Sequence, residues 1–179
     1  MRSIEAMRSA FLDLIERQPI DQIAIRDITQ AAGLSYPTFF RRYANKEELL
    51  ETIAADEVRA LLRLGEKDLQ GLHDGLPGAA MCAYVQQRRR LWATLLNGGA
   101  ASAMRNEFMR IANEIASARP RANPWLPLEL AVTFVTAGIF ELFAWWLRQP
   151  EDYPVENVVK LFNALIIDSA GRPRNISLV

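Results

Sequence analysis

One cysteine, one histidine and no excess of charge set the first limits on this 179-residue sequence. Cys82 alone cannot close an internal disulfide, and His73 alone cannot form a histidine-rich metal site. Basic and acidic residues number 21 each, so any contact with nucleic acid needs a local positive patch rather than a basic surface. We therefore expect a reduced, cytoplasmic chain that holds no metal and no cofactor.

A membrane segment is not expected either. The N-terminal stretch carries acidic residues and no clean apolar core, which is not the pattern of a secretory signal. The longest apolar stretch, Leu130–Leu147, approaches the length of a membrane span, but Glu141 interrupts it and it is rich in threonine, glycine and alanine. We expect this stretch to be a buried helix of a soluble protein.

Catalytic constellations are scarce. An enzyme needs a nucleophile paired with a base, or a metal group, and this sequence offers one cysteine, one histidine and no clustered carboxylates. We therefore assign no catalytic residue and expect a binding protein, with an enzyme as the alternative.

Apolar residues recur at helical spacing along nearly the whole chain, and no strand-like alternation of useful length is present. The pattern predicts an all-α fold. A first helix should end by Pro19, because the residue before a proline disfavours helical geometry. A short second helix should close at Gly33, and a third should begin at Ser35, a good N-cap. A fourth should begin at Asn45, with Glu48 completing a capping box.

The rest of the chain predicts a larger helical unit. The segment GEKDLQGLHDGLPG, which begins at Gly65, reads as a loop or a frayed helix end. Further helices are expected at residues 77–97 (broken near Arg90), 100–118, 127–148 and 155–170. We predict two domains: residues 1–47 form a three-helix DNA-binding unit, and residues 48–179 form a helical unit for ligand binding and dimerisation.

The second and third helices, with the turn Ala32-Gly33-Leu34 between them, match a helix-turn-helix in length and turn chemistry. In that motif the start of the second helix faces base edges in the major groove. Phe39 is assigned to the small domain's core, which leaves the opposite helix face exposed. From Leu34 to Lys46 the sequence has three basic residues and no acidic one, a local positive patch.

This patch suits DNA in several ways. Arginine pairs with guanine or phosphate, hydroxyl groups bond phosphate, and an apolar ring can meet a thymine methyl group. Lys46 lies at a helix start, where backbone N–H groups also favour a phosphate oxygen. The predicted DNA-binding residues are Arg26, Ser35, Tyr36, Pro37, Thr38, Phe40, Arg41, Arg42, Tyr43 and Lys46.

The run AFLDLIERQPIDQIAIRDITQAAGLSYPTFFRRYANKEELL resembles the DNA-binding domain of the TetR family of transcriptional regulators. The family pattern is roughly I-x-V-x-D-I-A-x-x-A-G-V-S-x-x-T-F-Y-x-H-F-x-x-K-x-x-L. The resemblance implies a homodimeric regulator, usually a repressor, that binds a palindromic operator in double-stranded DNA and is released by a small-molecule effector. The positions in register are Ile23, Ile25, Asp27, Ile28, Ala32, Gly33, Leu34, Ser35, Thr38, Phe39, Phe40, Arg42, Tyr43, Lys46 and Leu49.

Four positions depart from the family pattern. Ala24 stands where a threonine commonly caps the second helix and touches phosphate, and Phe40 lacks the hydroxyl of the usual tyrosine. Arg42 replaces a common histidine and adds a permanent charge, and Pro37 should stiffen the start of the third helix. A helical protein-interaction module that has lost DNA binding is therefore a second alternative.

Beyond the small domain the resemblance rests on layout alone. An apolar or aromatic effector is expected in a pocket among apolar side chains and a few polar groups. The predicted pocket residues are Met81, Tyr84, Trp92, Met104, Phe108, Phe134, Glu141 and Trp145. A helix that is apolar on nearly all sides needs partners on several sides, which predicts a homodimer. The predicted interface residues are Leu130, Phe134, Gly138, Val155, Val158, Val159, Phe162, Leu165 and Ile166.

Overall fold

A computed structural model describes residues 2–69, 76–97, 100–118, 123–171 and 176. These residues form α-helices joined by short turns, as the all-α prediction requires. A 3₁₀ turn at Ile20–Gln22 follows the first helix, and a π-helical segment, Asn163–Gly171, continues the last one. The α-helices are α1 Arg2–Ile15, α2 Ile25–Ala31, α3 Tyr36–Phe40, α4 Lys46–Leu69, α5 Ala79–Gln87, α6 Arg89–Asn97, α7 Ala101–Ser117, α8 Leu128–Leu147 and α9 Val155–Phe162.

The helix boundaries of the N-terminal unit lie close to the predicted ones. Helix α1 buries Met7 and Phe11 and ends before Pro19. Gly33 adopts φ +65°, the left-handed conformation that glycine reaches without strain, and the Leu34 N–H donates to the Thr29 carbonyl at 2.8 Å. The turn between α2 and α3 is thereby closed as a helix C-cap.

Helix α4 begins at a modified capping box. The Asn45 side-chain oxygen accepts from the Glu48 N–H at 2.8 Å, as predicted, but the Glu48 carboxylate accepts from the Ala44 N–H at 2.6 Å rather than from Asn45. The helix then runs through Gly65 to Leu69, so of the two predicted alternatives, a loop or a frayed helix end, the loop is wrong over these residues. Residues 70–75 of that segment lie outside the described part of the chain.

The remaining helices lie where the periodicity placed them. The break between α5 and α6 falls at Arg88, two residues before the predicted site. Helix α8 is the central element of the larger unit and packs against α6, α7, α9 and the π-helical segment. By length and composition alone α8 could cross a membrane, and 39% of its most apolar window is buried inside the protein.

A buried carboxylate joins α4, α5 and α6. Glu57 is 9% exposed and accepts a hydrogen bond from the Trp92 indole N–H at 3.2 Å. The Arg88 guanidinium lies 3.9 Å from the same carboxylate and 4.1 Å from the Tyr84 ring centroid. Burial, together with the charge of Glu57 and a hydrogen bond to it, raises the pKa of Tyr84 to about 12.

This pKa predicts a loss of stability in alkali. Between about pH 10 and 12 the unfolded chain releases the Tyr84 proton and the folded chain keeps it, so the unfolding free energy falls as pH rises. Below pH 10 the contribution is fully present. We expect Tyr84→Phe, which cannot ionise, to flatten this decline in urea titrations between pH 9 and 11.5. Parallel pH profiles for the two proteins would contradict the assignment.

Candidate nucleic-acid interface and ligand cavity

Helix α3 is anchored by one face. Phe39 is fully buried, as predicted, and belongs to the same core cluster as Ile28 of α2. Its ring lies 5.7 Å from the Tyr43 ring and 5.5 Å from the Phe40 ring. Phe39 is the fourth residue of this five-residue helix and its one buried side chain, so the other side chains of α3 are held outside the core.

The outer face of α3 presents an aromatic pair. Tyr36 is 51% exposed and Phe40 is 46% exposed, and their rings meet edge to face with centroids 5.1 Å apart. They are one helical turn apart, so they share a face. Pro37 is exposed beside them and fixes the first turn of the helix. Large apolar groups held this far into solvent indicate a contact surface.

Three exposed arginines of the small domain are among the predicted DNA contacts. Arg26, Arg41 and Arg42 are all exposed, and none of their guanidinium groups has an ion-pair partner within the described ranges. Unpaired arginines at the edge of an exposed aromatic face offer charge and planar donors to a polyanion. The exposure expected for these residues is confirmed, whereas their contact with DNA stays a prediction.

The two hydroxyl groups of α3 bond to each other. Ser35 occupies the N-cap position, but its Oγ makes no bond to the helix backbone and lies 2.7 Å from the Thr38 Oγ1. Ser35 is exposed and Thr38 is partly exposed. Since a hydroxyl both donates and accepts, the pair retains capacity to bond a phosphate oxygen.

Two predicted DNA contacts need correction. Tyr43 is only 7% exposed because its ring packs on Phe39, and it is a core residue. The Lys46 ammonium donates to the carbonyl oxygens of Ile20 and Ile23, at 2.9 and 3.0 Å, so it ties the start of α4 to the turn before α2. The positive patch therefore consists of arginines.

At the start of α2, one of the two hydrogen bonds of a capping box is present and the other is missing. The Ala24 N–H donates to the Asp27 carboxylate at 2.8 Å, but Ala24 has no side-chain oxygen to bond the first N–H groups of the helix. Asp27 also places a negative charge at the helix N-terminus, where it is favourable. A threonine, which the family commonly has at this position, would supply the missing hydrogen bond.

We expect Ala24→Thr to stabilise the protein by about 1 kcal/mol, because the new hydroxyl caps α2. The same hydroxyl would offer DNA one phosphate contact. Ala24→Val is the matched control, since it has the same shape and no oxygen. Urea unfolding measures the cap, and titration with duplex DNA measures the contact. Equal stability of the two variants would show that capping is not the cause.

An apolar cavity of about 310 Å³ lies in the larger unit between α4, α5, α7, α8 and the last helix. Of the predicted pocket residues, Met81 and Phe108 line it. The lining residues are Leu62, Gly65, Glu66, Pro77, Gly78, Met81, Phe108, Ala112, Ile115, Ala116, Leu128, Ala131, Val132, Val135, Ile139, Phe162, Ile166 and Ile167.

The other six predicted pocket residues lie elsewhere. Trp92 and Met104 are buried in the core and Tyr84 and Trp145 are packed against it, so no cavity wall is formed by them. Phe134 is 56% exposed. The Glu141 carboxylate is exposed and lies 3.6 Å from the Arg105 guanidinium, which is a surface ion pair rather than a ligand contact.

The predicted interface residues divide into three groups by burial. Burial inside the chain itself removes Val158, Phe162 and Ile166 from any interface with a partner, and Ile166 also packs tightly over Gly138. Val155 and Val159 are partly buried against the core. Leu130, Phe134 and Leu165 are each more than half exposed, at 55%, 56% and 54%.

A chain of ion pairs joins α1 to the cavity wall. Asp56 of α4 binds Arg8 of α1 and, at 2.8 Å, its neighbour Arg59. Arg59 in turn binds Glu107 of α7 at 2.6 Å. A hydrogen bond from Arg110 is the main reason that the pKa of Glu107 is lowered. Since Phe108 and Ala112 of α7 line the cavity, these pairs connect the two functional regions. Two of the pairs, Arg8–Asp56 and Arg59–Glu107, join residues far apart in sequence, and sequence reasoning missed them.

Comparisons with known proteins agree on the small domain. A family model described as bacterial regulatory proteins, tetR family, matches residues 9–53. Over 54 residues the chain is 46% identical to YxbF of Bacillus subtilis (strain 168), an uncharacterized HTH-type transcriptional regulator. That match covers 30% of this chain and 14% of YxbF, so the chain spans only a small part of this curated relative.

Solved structures match over almost the whole chain. A TetR transcriptional regulator from Streptococcus agalactiae 2603V superposes with a TM-score of 0.63 at 20% identity, over 92% of this chain and 93% of that one. FadR from Thermus thermophilus, a TetR family transcriptional repressor in complex with lauroyl-CoA, gives 0.58 at 16% identity, over 98% of each chain. At such identities the likeness establishes a shared fold.

Proposed function

We propose that this chain, whose residues 9–53 match the tetR family of bacterial regulatory proteins, is a cytoplasmic, dimeric transcriptional repressor without enzymatic activity. It binds a palindromic operator through α3 and is released when a small apolar ligand enters the cavity. The observation that carries the proposal is the outer face of α3, where exposed aromatic rings and unpaired arginines surround a buried anchor.

In this proposal α3 enters the major groove, and different residues of its outer face contact the bases and the phosphates. Tyr36, Pro37 and Phe40 meet base edges, where apolar rings suit thymine methyl groups. Arg41 and Arg42 hold phosphate oxygens or a guanine edge, and Arg26 adds a contact from α2. The arginine patch explains how a chain of zero net charge can bind DNA.

The dimer is supported by the exposed apolar residues of the last helices. Leu130 and Phe134 lie one turn apart on α8, and Leu165 lies on the π-helical segment that packs against α8. Side chains of this size, each more than half exposed, lose contact with water when a second copy packs on them. Two copies related by a two-fold axis would present α3 to half-sites about 34–36 Å apart, or a multiple.

Release by ligand follows from differential affinity. A ligand that binds better to a dimer with the wrong spacing of its α3 helices shifts the population away from DNA. Helix α4 is the element that connects the two events, because Gly65 and Leu62 line the cavity and Lys46 holds the small domain at the other end. The ion pairs of Asp56 and Arg59 with α1 and α7 support the same route.

The experiment that tests the proposal is selection of bound duplexes from a genomic DNA pool at moderate salt. We expect enrichment of a palindrome, with binding that weakens as salt rises. Failure to enrich any sequence, with weak binding even at low salt, would overturn the proposal. That outcome would favour a protein-interaction module. This alternative is considered because Ala24 and Phe40 lack the hydroxyl groups that the family commonly has at these positions.

A further inference from the structure

The wall of the cavity offers a ligand almost nothing polar. Among the lining residues named above, no side chain carries a hydroxyl, an amide or an imidazole, and Glu66 is the one with a charge. The backbone of the turn in the wall is also bonded internally. The Pro77 carbonyl accepts from the Asn163 amide at 2.7 Å, and the Gly78 carbonyl accepts from the Cys82 N–H at 2.9 Å.

A polar group that enters such a space loses its hydrogen bonds to water and gains none in return. The enclosed part of a ligand must therefore be hydrocarbon. Pockets that select polar ligands place a few convergent hydrogen-bonding groups among apolar ones, and this wall lacks them among the described residues. Selection has to come from the shape and length of the hydrocarbon instead.

The wall also favours an aliphatic chain over an aromatic plate. The two rings that line it are already paired inside the protein: Phe108 lies edge to face with Phe140 at 5.4 Å, and Phe162 stacks on Phe143 at 6.1 Å. Apart from Glu66, Pro77 and two glycines, the rest of the wall consists of alanine, valine, leucine, isoleucine and methionine side chains. An aromatic ligand would find few free ring faces or edges to meet.

We propose that this cavity takes the unbranched aliphatic chain of an amphiphile and leaves the polar head outside its wall. A water molecule occupies ~30 Å³ in the liquid, and if a methylene takes up the same volume, the cavity of about 310 Å³ holds roughly ten carbons. The role of this ligand as an effector rests on the proposed function, whereas its binding does not.

Binding is tested without DNA, by calorimetry with 1-hexanol, 1-octanol, 1-decanol and 1-dodecanol. We expect affinity to rise about fourfold for each added methylene, the gain for burying one CH₂, and to level off near ten carbons. 2-Naphthaleneethanol, whose ring system has as many carbons as 1-decanol, should bind at least tenfold more weakly. A flat series, or stronger binding of the naphthalene compound, would overturn the proposal.

Three ligands that share a ten-carbon chain and differ in the polar head test where the head lies. 1-Decanol, decanoate and decyltrimethylammonium should bind within about tenfold of one another if the head stays in water. A difference above 100-fold would place the head inside and overturn that part of the proposal. Binding of all three with no effect on a selected DNA duplex would contradict the effector role alone, and the chain-length result would stand.

Cavity-filling variants locate the binding site. Ala112→Phe on α7 puts a ring into the cavity and should abolish binding of 1-decanol. Ala83→Phe on α5 adds the same ring at an exposed position outside the wall and should leave binding unchanged. Ala131→Phe on α8 fills the cavity from the other side if Ala112→Phe fails to fold. Unchanged binding in a folded cavity variant would place the ligand elsewhere.

Discussion

The double substitution Arg41→Ala/Arg42→Ala is expected to weaken binding to the selected palindrome by at least about 100-fold. Each guanidinium is exposed and lacks an ion-pair partner among the described residues, so neither has a role in holding the fold. A bidentate arginine contact is worth about 1–3 kcal/mol, and each subunit loses two. The dependence of log K on log salt should also become shallower by about 2–4 for a dimer, since up to four phosphate contacts disappear.

The matched control removes two arginines elsewhere. Arg63 and Arg148 are also exposed and lie outside the small domain, so Arg63→Ala/Arg148→Ala makes the same change in net charge. We expect this variant to bind the palindrome with nearly unchanged affinity. Equal losses in the two variants would mean that net charge, and not the α3 face, attracts the DNA. Thermal unfolding of both proteins establishes that the fold is retained.

Phe134→Glu is expected to convert the proposed dimer to a monomer at micromolar concentration. The ring is 56% exposed on α8 and belongs, with Leu130 and Leu165, to the exposed apolar residues that the proposed partner covers. A carboxylate there would be buried without a partner, which costs several kcal/mol for each copy in the interface. Binding to the palindrome should fall by more than 100-fold, because each α3 helix then binds a half-site alone. Sedimentation velocity measures the mass, and DNA titration measures the affinity.

Leu76→Glu provides the control for this substitution. Leu76 is 55% exposed, almost as much as Phe134, and lies before α5 rather than on α8. The variant should remain a dimer and bind DNA normally. If Phe134→Glu sediments as a dimer, the interface lies on another surface, and the exposed positions of Leu130 and Leu165 would need another explanation.

The small domain was predictable because its signals are local. Gly33 and Asn45 each act on backbone groups within a few residues, and Ser35 bonds the nearby Thr38 hydroxyl. The structure places a helix boundary at each of the three. Phe39 was assignable to the core from helical spacing alone. Exposure of the opposite face of α3 then follows from geometry, since one short helix cannot bury both sides.

The errors in the site come from contacts that span the sequence. Lys46 reaches carbonyl oxygens 26 and 23 residues away, and nothing near Lys46 in the sequence marks them as acceptors. Tyr43 was placed outside because its hydroxyl suits DNA, but the ring packs against its neighbour on the core side. Which distant groups a side chain contacts depends on how the helices assemble and not on the local sequence pattern.

The cavity was missed for a different reason. Aromatic and sulfur-containing residues were expected to line it, and most of them instead fill the core, as Trp92 does against Phe143. The wall is made by residues such as Ala112 and Ala131, which are too small to close the space between helices. A sequence records which side chains are present, whereas a cavity is the volume that they leave unfilled.

Helix α4 is one unbroken rod, which suits it to act as a lever arm in the proposed regulator. With 24 residues it is about 36 Å long, and Gly65 in the cavity wall lies about 28 Å along the axis from Lys46. A pivot of about 5° at the cavity end moves the other end by about 2.5 Å over that length. The Lys46 bonds to Ile20 and Ile23 carry the turn before α2 along with it. In the proposed two-fold dimer the displacements of the two arms would add, so that a small change at the cavity would become a mismatch with the groove spacing of DNA.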